Sequence, residues 1–280
     1  MKIKNNLFNI LKITFLVFMA LVMIFPIVFI FFASFKSNAE ILTGNLIFPQ
    51  KWIVDNYKQA WGMANFKLYT WNSIFYAFFA VIGNIIVSTV LAYVLERGTF
   101  RGKHFLYGMF LSTMFISLGT SSLLPQYQLA KMMNTHRSLW GVIMIRVLSI
   151  NVPNVFIAKG YISTISTEID EAAKIDGCSF FRIYWNIIFP LLKPLIATVG
   201  LLSFRAAWND YMLPMIFTLS NPDKSPLVVG VVNLKNTGEA ASSWNLMLAG
   251  TMIAVIPMLI VYLFLNKYFI SGLTSGAVKG

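Results

Sequence analysis

The chain has 280 residues, of which 58% are hydrophobic and only 11% are charged, and its mean hydropathy is +0.71. Soluble domains carry about 25% charged residues, so this composition excludes an ordinary soluble protein and predicts an integral membrane protein. The 22 basic residues outnumber the 10 acidic ones. We attribute that excess to lysines and arginines that flank membrane spans, and we expect no nucleic-acid partner.

The sequence offers little for a metal site or for ATP hydrolysis. Cys178 is the single cysteine, which excludes an internal disulfide and a cysteine-based metal cluster. His104 and His136 are far apart in the sequence, so we expect no bound metal. The stretch RGKH at 101–104 lacks the upstream glycine and the Ser or Thr of a phosphate-binding loop. We therefore predict no catalytic residue, no cofactor and no ATPase site in this chain.

Six apolar runs are each long enough to cross a bilayer as a helix, which takes about 20 residues. The first run is too long for a signal-peptide core and has no small-residue cleavage site after it, so we expect it to remain as a helix. The fifth is the weakest, because RAAWND interrupts it at 205–210. We predict an all-α membrane protein with a single transmembrane domain over residues 1–280. Its six spans are predicted at about 13–35, 73–95, 105–124, 139–162, 191–219 and 246–266.

Basic residues in the connections predict the orientation of these spans, because cytoplasmic loops are enriched in lysine and arginine. An even number of spans places both termini on the same side. We therefore expect both termini and the loops 96–104 and 163–190 in the cytoplasm, with 36–72, 125–138 and 220–245 outside. The basic residues behind this prediction are Lys2, Lys4, Lys12, Arg97, Arg101, Lys103, Lys267 and Lys279.

The predicted cytoplasmic loop 163–190 contains a cluster of acidic residues in the stretch EIDEAAKIDG. Thr167 is placed to cap a helix start, and the acids after it suit the positive end of a helix dipole. Lys174 lies near the other end, and Gly177 is suited to end the helix in a left-handed conformation. These signals predict a short helix of about nine or ten residues.

One face of this predicted helix has a small profile. At helical spacing, the residues Ile169, Ala172, Ala173 and Asp176 lie on the same side. Such a face suits close docking of the helix into a groove on another protein. The alternative is a capped helix that merely connects two spans, and the chemistry of the loop leaves both interpretations open.

The same loop resembles a known family motif. EAAKIDG, followed by nine residues and IIFP, is similar to the EAA loop of ABC importer membrane subunits, which reads Glu-Ala-Ala, three residues, Gly, nine residues, Ile-x-Leu-Pro. Phe189 stands where the family has leucine. Three more stretches resemble carbohydrate importer permeases: residues 72–103, FRAAWNDYMLPMIFT at 204–218, and the final KYFISGLTSGAVKG, which is similar to the end of the maltose-type G permease.

This resemblance implies a fold, a set of partners and a role for the loop. The fold would be that of a type I ABC importer permease, multi-pass in the bacterial cytoplasmic membrane, with a coupling helix that docks on an ATP-binding subunit. The implied partners are a second homologous permease, two subunits that bind ATP and Mg, an extracytoplasmic solute-binding protein, a sugar and membrane lipid. The chain itself would be a transport subunit rather than an enzyme. The implied coupling residues are Glu171, Ala172, Ala173, Asp176 and Gly177.

Three charged residues, Arg146, Arg205 and Asp210, lie well inside predicted spans. A charge near the bilayer centre costs roughly 2.5–3.5 kcal/mol, so we expect each to face the protein interior or water. One interpretation is an internal pair between Arg205 and Asp210. For Arg146, which has no acid nearby in the fourth span, the interpretations are a contact with the partner permease, snorkelling, or recognition of an anionic sugar.

A second interpretation places part of the fifth span along the solute route. Aromatic rings there would stack on sugar faces, and amide groups would hydrogen-bond to hydroxyls. Together with Arg146, the residues expected on this route are Arg205, Trp208, Asn209, Asp210 and Tyr211.

Three alternative functions stay open at this point. The first is an ABC importer permease for another solute, such as glycerol phosphate. The second is a stand-alone channel or secondary transporter, which inverted repeats and broken helices would favour. The third is a membrane scaffold with no transport role. The sequence contains no convincing internal repeat.

Overall fold

The computed structural model describes residues 2–44, 47–63, 65–116, 119–234 and 243–277. Within those ranges the chain is helical and forms no strand, which confirms the predicted all-α class. Lys279 and part of the predicted outer segment 220–245 lie outside the described residues.

The helices differ widely in length. In chain order they are α1 (Lys2–Ala33), α2 (Asn38–Thr43), α3 (Asp55–Met63), α4 (Phe66–Arg97), α5 (Lys103–Phe115), α6 (Leu123–Met132), α7 (Leu139–Leu148), α8 (Val152–Ile162), α9 (Glu168–Ile175), α10 (Phe180–Ile183), α11 (Phe189–Leu191), α12 (Lys193–Trp208), α13 (Met212–Thr218), α14 (Leu227–Leu234) and α15 (Trp244–Ala277). A π-helical turn, Tyr184–Ile188, joins α10 to α11. Short 3-10 turns cover Gly119–Ser122 and Pro222–Lys224.

Three helical stretches are long and apolar enough to cross a membrane: Phe8–Ala33 of α1, the whole of α4, and Trp244–Phe264 of α15. They coincide with the first, second and sixth predicted spans. Two further apolar stretches are bent pairs, α7 with α8 at 51° and Phe180–Leu191 with α12 at 83°. By length and composition the described residues therefore provide three to five spans, and the count of six stays a prediction.

The third and fifth predicted spans differ from the structure. Where one helix was expected over 105–124, α5 ends after 13 residues, which is about 20 Å of helix against roughly 30 Å of hydrocarbon. Where one helix was expected over 191–219, α12 ends at Trp208 and α13 begins only at Met212. The break falls on Asn209 and Asp210, whose residue types favour turns over helix interiors.

The fourth predicted span is broken between α7 and α8 for a local reason. The side chain of Asn151 caps α8 by accepting from the backbone N–H of Asn154 at 3.1 Å. Pro153 lies in the first turn of α8 and has no N–H to donate to a carbonyl of α7. The cap and the proline together start a new helix rather than extend the old one.

Internal packing divides the chain into two compact units. The first contains Met1–Phe66 and Gly230–Ile256, and the second contains Lys67–Val229 and Pro257–Gly280. Whether one domain covers residues 1–280 stays a prediction.

Within the first unit, a buried asparagine ties the end of α1 to later segments. The Nδ2 of Asn56 donates to the carbonyls of Ser34 and Lys36, each at 2.8 Å. Its Oδ1 accepts from Asn245 at 2.8 Å. By contrast, the apolar side chains of α1 from Phe8 onward are largely exposed, which suits a helix surrounded by lipid or by another apolar chain.

The core of the second unit lies where α4, α8, α9 and the Phe180–Leu191 segment meet. Tyr93, Ile162, Ile183 and Tyr184 are completely or almost completely buried there. The Tyr93 and Tyr184 rings lie 5.3 Å apart between centroids, and the Tyr184 hydroxyl shares a 2.8 Å hydrogen bond with Thr89. Because α9 packs against this core, its position is fixed relative to the end of α4.

Candidate coupling and translocation sites

The acidic loop forms the predicted short helix, α9. Gly177 follows it with φ +80°, as predicted, and the helix end has the Schellman pattern. The Cys178 N–H donates to the carbonyl of Ala173 at 2.9 Å, and the Gly177 N–H donates to that of Lys174 at 3.0 Å. The predicted side-chain cap is wrong: Thr167 makes no such bond, and the Ser166 hydroxyl accepts from the Glu168 N–H instead.

The predicted docking face of α9 is split between solvent and core. Ala172 and Asp176 are exposed, as is Glu171, but Ala173 is only 5% exposed and belongs to the core of the second unit. Ile175 is 88% exposed, a high value for an isoleucine. Any partner of α9 therefore meets Glu171, Ala172 and Ile175, while Ala173 holds the helix against its own chain.

Asp170 is the functional candidate that the sequence analysis missed. Its carboxylate is buried, with Oδ2 at 3.2 Å from the Nε of Arg97, and the two side chains are 5% and 11% exposed. The Tyr93 hydroxyl donates to Oδ1 at 2.9 Å. The only sequence signal was that Asp170 and Ala173 are three positions apart, so they share a face of α9. This face lies against the chain because Tyr93 of α4, 77 positions away in the sequence, binds Asp170.

The last turn of α4 also holds α8. Arg97 donates through Nη2 to the carbonyls of Ile162 and Ile165, the first at 3.3 Å. Its neighbour Glu96 pairs with Lys159 of α8 at 2.8 Å. Two adjacent residues of opposite charge thus both bind α8, and Arg97 alone also reaches α9.

Arg146 and Asp210 form an ion pair inside the second unit. The Nη1 of Arg146 lies 3.6 Å from the Oδ2 of Asp210, and this same oxygen accepts from the Tyr76 hydroxyl at 2.8 Å. Arg146 also donates to the carbonyl of Ala206 at 2.8 Å. The expected pair of Arg205 with Asp210 is therefore replaced by one with Arg146, because the helix break turns Asp210 towards α7 and α4.

The other predicted route residues separate into two groups. Arg205 and Asn209 are exposed, and Tyr211 is half-buried. Trp208 is buried, stacks on Phe204 with ring centroids 5.4 Å apart, and lines an apolar cavity of about 490 Å³. The other residues that line this cavity are apolar apart from Thr70, so Trp208 packs in a largely apolar environment, and its place on the solute route stays a prediction.

A buried polar layer inside the helices also escaped the sequence analysis. Asn154 of α8 donates to the Oδ1 of Asn84 at 3.3 Å and to the Ser203 hydroxyl at 3.1 Å. The Ser88 hydroxyl donates to the same Asn84 oxygen at 3.2 Å. These bonds join α4, α8 and α12, as polar side chains do between membrane helices. No group of His, Cys, Asp or Glu among the described residues is arranged to hold a metal ion.

The sequence from residue 2 to residue 275 matches the family of binding-protein-dependent transport system inner membrane components. The chain belongs to this family. Among its relatives, the galactooligosaccharides transport system permease protein GanQ of Bacillus subtilis is 31% identical, over 100% of this chain and 99% of that protein. The melibiose/raffinose/stachyose import permease protein MelC of the same organism is 34% identical over 91% of each chain.

A solved structure of this family has a similar fold. It is a bacterial ABC transporter involved in the import of the acidic polysaccharide alginate. One of its chains superimposes with a TM-score of 0.78 at 26% identity, covering 95% of this chain and 98% of that one. Membership of the ABC importer permeases and the type I permease fold, both expected from the EAA loop, are confirmed. The chain is thus a multi-pass membrane component of a transporter.

Proposed function

We propose that this chain is one permease of a binding-protein-dependent ABC importer for an oligosaccharide and forms half of its translocation pathway. The observation that carries the proposal is α9, a helix that ends in a Schellman turn and presents Glu171, Ala172 and Ile175 while it is buried on its other side. The galactooligosaccharide and melibiose/raffinose/stachyose permeases among its relatives support a sugar as substrate.

The remaining partners follow from the family role. A second, homologous permease completes the pathway, and an extracytoplasmic binding protein delivers the sugar. Two separate subunits bind ATP and Mg and receive α9. Both termini and the loop 163–190 lie in the cytoplasm of a bacterium in this proposal, because the basic residues concentrate there.

The coupling of ATP hydrolysis to transport depends on α9 moving as a rigid helix. When ATP closes the paired ATPase subunits, α9 moves with the cleft in which it sits. The two permeases then rock as rigid bodies, so that the central pathway opens outward and, after hydrolysis, inward. Glu171, Ala172, Asp176 and Gly177 form the docking end, and Ala173 transmits force through the core.

The experiment that tests this proposal is purification of the chain with its native partners, followed by ATPase measurements in nanodiscs. We expect a second permease and two ATPase subunits to copurify, and one loaded binding protein to stimulate hydrolysis. Stimulation by a loaded glycerol phosphate binding protein would overturn the sugar assignment. Absence of any ATPase subunit would overturn the importer and favour a channel.

A second, narrower proposal is that the sugar is anionic. Its support is Arg205, an exposed arginine beside a helix break, together with the likeness to the alginate transporter. Arg146 is a poorer candidate, because its charge is paired with Asp210. Arg205 would recognise a carboxylate through its planar guanidinium, which donates hydrogen bonds to both carboxylate oxygens at once.

The anionic proposal predicts a change of selectivity on Arg205→Gln. Stimulation by acidic oligosaccharides should fall about tenfold, the effect of losing a charge-assisted bond worth roughly 1.5 kcal/mol, while stimulation by neutral ones stays unchanged. Arg205→Lys is the matched control, since it keeps the charge and loses the planar geometry. Equal loss for neutral and acidic oligosaccharides would contradict the anionic substrate.

A further inference from the structure

We infer that Arg97, Asp170 and Tyr93 form the joint that makes α9 move as one body with the ends of α4 and α8. The inference rests on the proposed function and adds positioning residues to it. None of the three lies on the docking face. They would act through α9 rather than by touching an ATPase subunit.

The geometry of Arg97 is the first support for this joint. One guanidinium reaches three separate elements: Asp170 of α9 through Nε at 3.2 Å, the Ile162 carbonyl of α8 at 3.3 Å, and the Ile165 carbonyl in the connection to α9. Both carbonyls accept from the same nitrogen, Nη2, while the contact of Nε with Asp170 is an ion pair that lacks hydrogen-bond alignment. A lysine at position 97 has one ammonium group and could not span all three contacts.

Burial is the second support. Arg97 and Asp170 are 11% and 5% exposed, so water screens their attraction much less than it screens a surface pair. Tyr93 fixes the other carboxylate oxygen at 2.9 Å, and its ring lies 4.6 Å from that of Phe180, just after α9. The carboxylate is held from two sides, and α9 therefore has little freedom to pivot on α4.

The neighbouring pair of Glu96 and Lys159 provides a built-in comparison. It lies one residue away on the same helix and joins α4 to α8 at 2.8 Å, but it does not touch α9. Its side chains are 20% and 24% exposed. If the joint acts by holding α9, then breaking the pair of Arg97 with Asp170 uncouples ATP hydrolysis from transport. Breaking the pair of Glu96 with Lys159 does not.

The test uses the whole transporter in nanodiscs with its binding protein. The binding protein is loaded from a mixture of maltooligosaccharides, galactooligosaccharides and alginate oligosaccharides. The measured quantity is the ratio of stimulated to basal ATPase activity per assembled complex. This ratio is insensitive to a simple loss of protein, so a merely structural role would not change it.

We expect Asp170→Asn to assemble and to lose about fivefold or more of this ratio, the size expected when the coupling between two sites is removed. Glu96→Gln should change it by less than about twofold, because partly exposed pairs contribute little. An unchanged ratio in Asp170→Asn, or an equal loss in Glu96→Gln, would overturn the joint.

A milder variant keeps the inference testable if Asp170→Asn fails to assemble. Tyr93→Phe removes one hydroxyl and leaves the ion pair, and we expect a loss of the ratio of about twofold to fivefold, the effect of a typical intramolecular hydrogen bond. A wild-type ratio in Tyr93→Phe would overturn the joint. A wild-type preparation without ATPase subunits would instead overturn the proposed function itself.

Discussion

At the scale of single residues, two of the charges inside the helices, Arg146 and Asp210, compensate each other within the chain. One oxygen of Asp210 accepts a hydrogen bond from the Tyr76 hydroxyl and forms the ion pair with the Arg146 guanidinium. A second nitrogen of Arg146 donates to the Ala206 carbonyl. Both charged groups are thereby neutralised and hydrogen-bonded, the condition under which ionisable groups are tolerated in a membrane span.

This network predicts that Asp210→Asn destabilises the purified transporter. The change leaves Arg146 without its counter-charge, at a cost of roughly 1–3 kcal/mol, and a lower melting temperature in detergent would report it. The double variant Arg146→Gln/Asp210→Asn should recover part of the loss, because no unpaired charge remains. The exposed Asp223→Asn is the control, and an equal effect there would contradict the interpretation.

At the scale of one element, α9 shows how a helix of eight residues serves two environments. Ala173 and Asp170 turn inward to the core and to Arg97, whereas Glu171, Ala172 and Ile175 turn outward. Neighbouring residues of a helix point about 100° apart, so Ala172 of the EAA motif faces solvent while Ala173 packs in the core.

The two alanines therefore predict opposite outcomes for the same substitution. Ala172→Glu should leave the chain paired with its partner permease and abolish copurification of the ATPase subunits. Ala173→Glu should lower the yield of folded chain, because a carboxylate is buried at a cost of several kcal/mol. Size-exclusion chromatography with subunit quantification separates the two results. Folded Ala173→Glu that still bound the ATPase would refute this assignment of faces.

Sequence patterns were sufficient for the helix class, the three long spans and the end of α9 at Gly177, because these depend on local hydrophobicity and backbone conformation. They failed where the answer lay in another element. Whether Asp170 faces solvent or Arg97, and whether Asp210 pairs with Arg205 or Arg146, depends on how distant helices pack. Periodicity within one helix contains no such information.

At the scale of the whole molecule, the orientation in the membrane is the property on which the mechanism depends. The proposed coupling role requires α9 on the cytoplasmic side. The end of α6 would then lie on the opposite side, in the predicted outer segment 125–138. Because Cys178 is the single cysteine, a new cysteine in α9 or at the end of α6 can be labelled selectively once Cys178 is replaced.

In a Cys178→Ser background, we predict opposite labelling of two single-cysteine variants, Ile175→Cys and Met132→Cys. These positions are 88% and 81% exposed in the chain by itself. The vesicles therefore contain the permeases without ATPase subunits, since a docked subunit would cover Ile175. A membrane-impermeant maleimide should label Met132→Cys in sealed right-side-out vesicles, and Ile175→Cys only after permeabilisation. Labelling of Ile175→Cys in sealed vesicles would reverse the proposed orientation.

The helix break after Trp208 has an evolutionary consequence. At the break, the Asp210 N–H bonds to the carbonyl of Ala207, so the Ala206 carbonyl is left for Arg146. A mutation that restored a continuous helix would give the Ala206 carbonyl a backbone partner and remove this hydrogen bond from Arg146. A mutation that removed the arginine would leave the Ala206 carbonyl without its hydrogen bond. The two features constrain each other, and descendants of this sequence should keep both or lose both together.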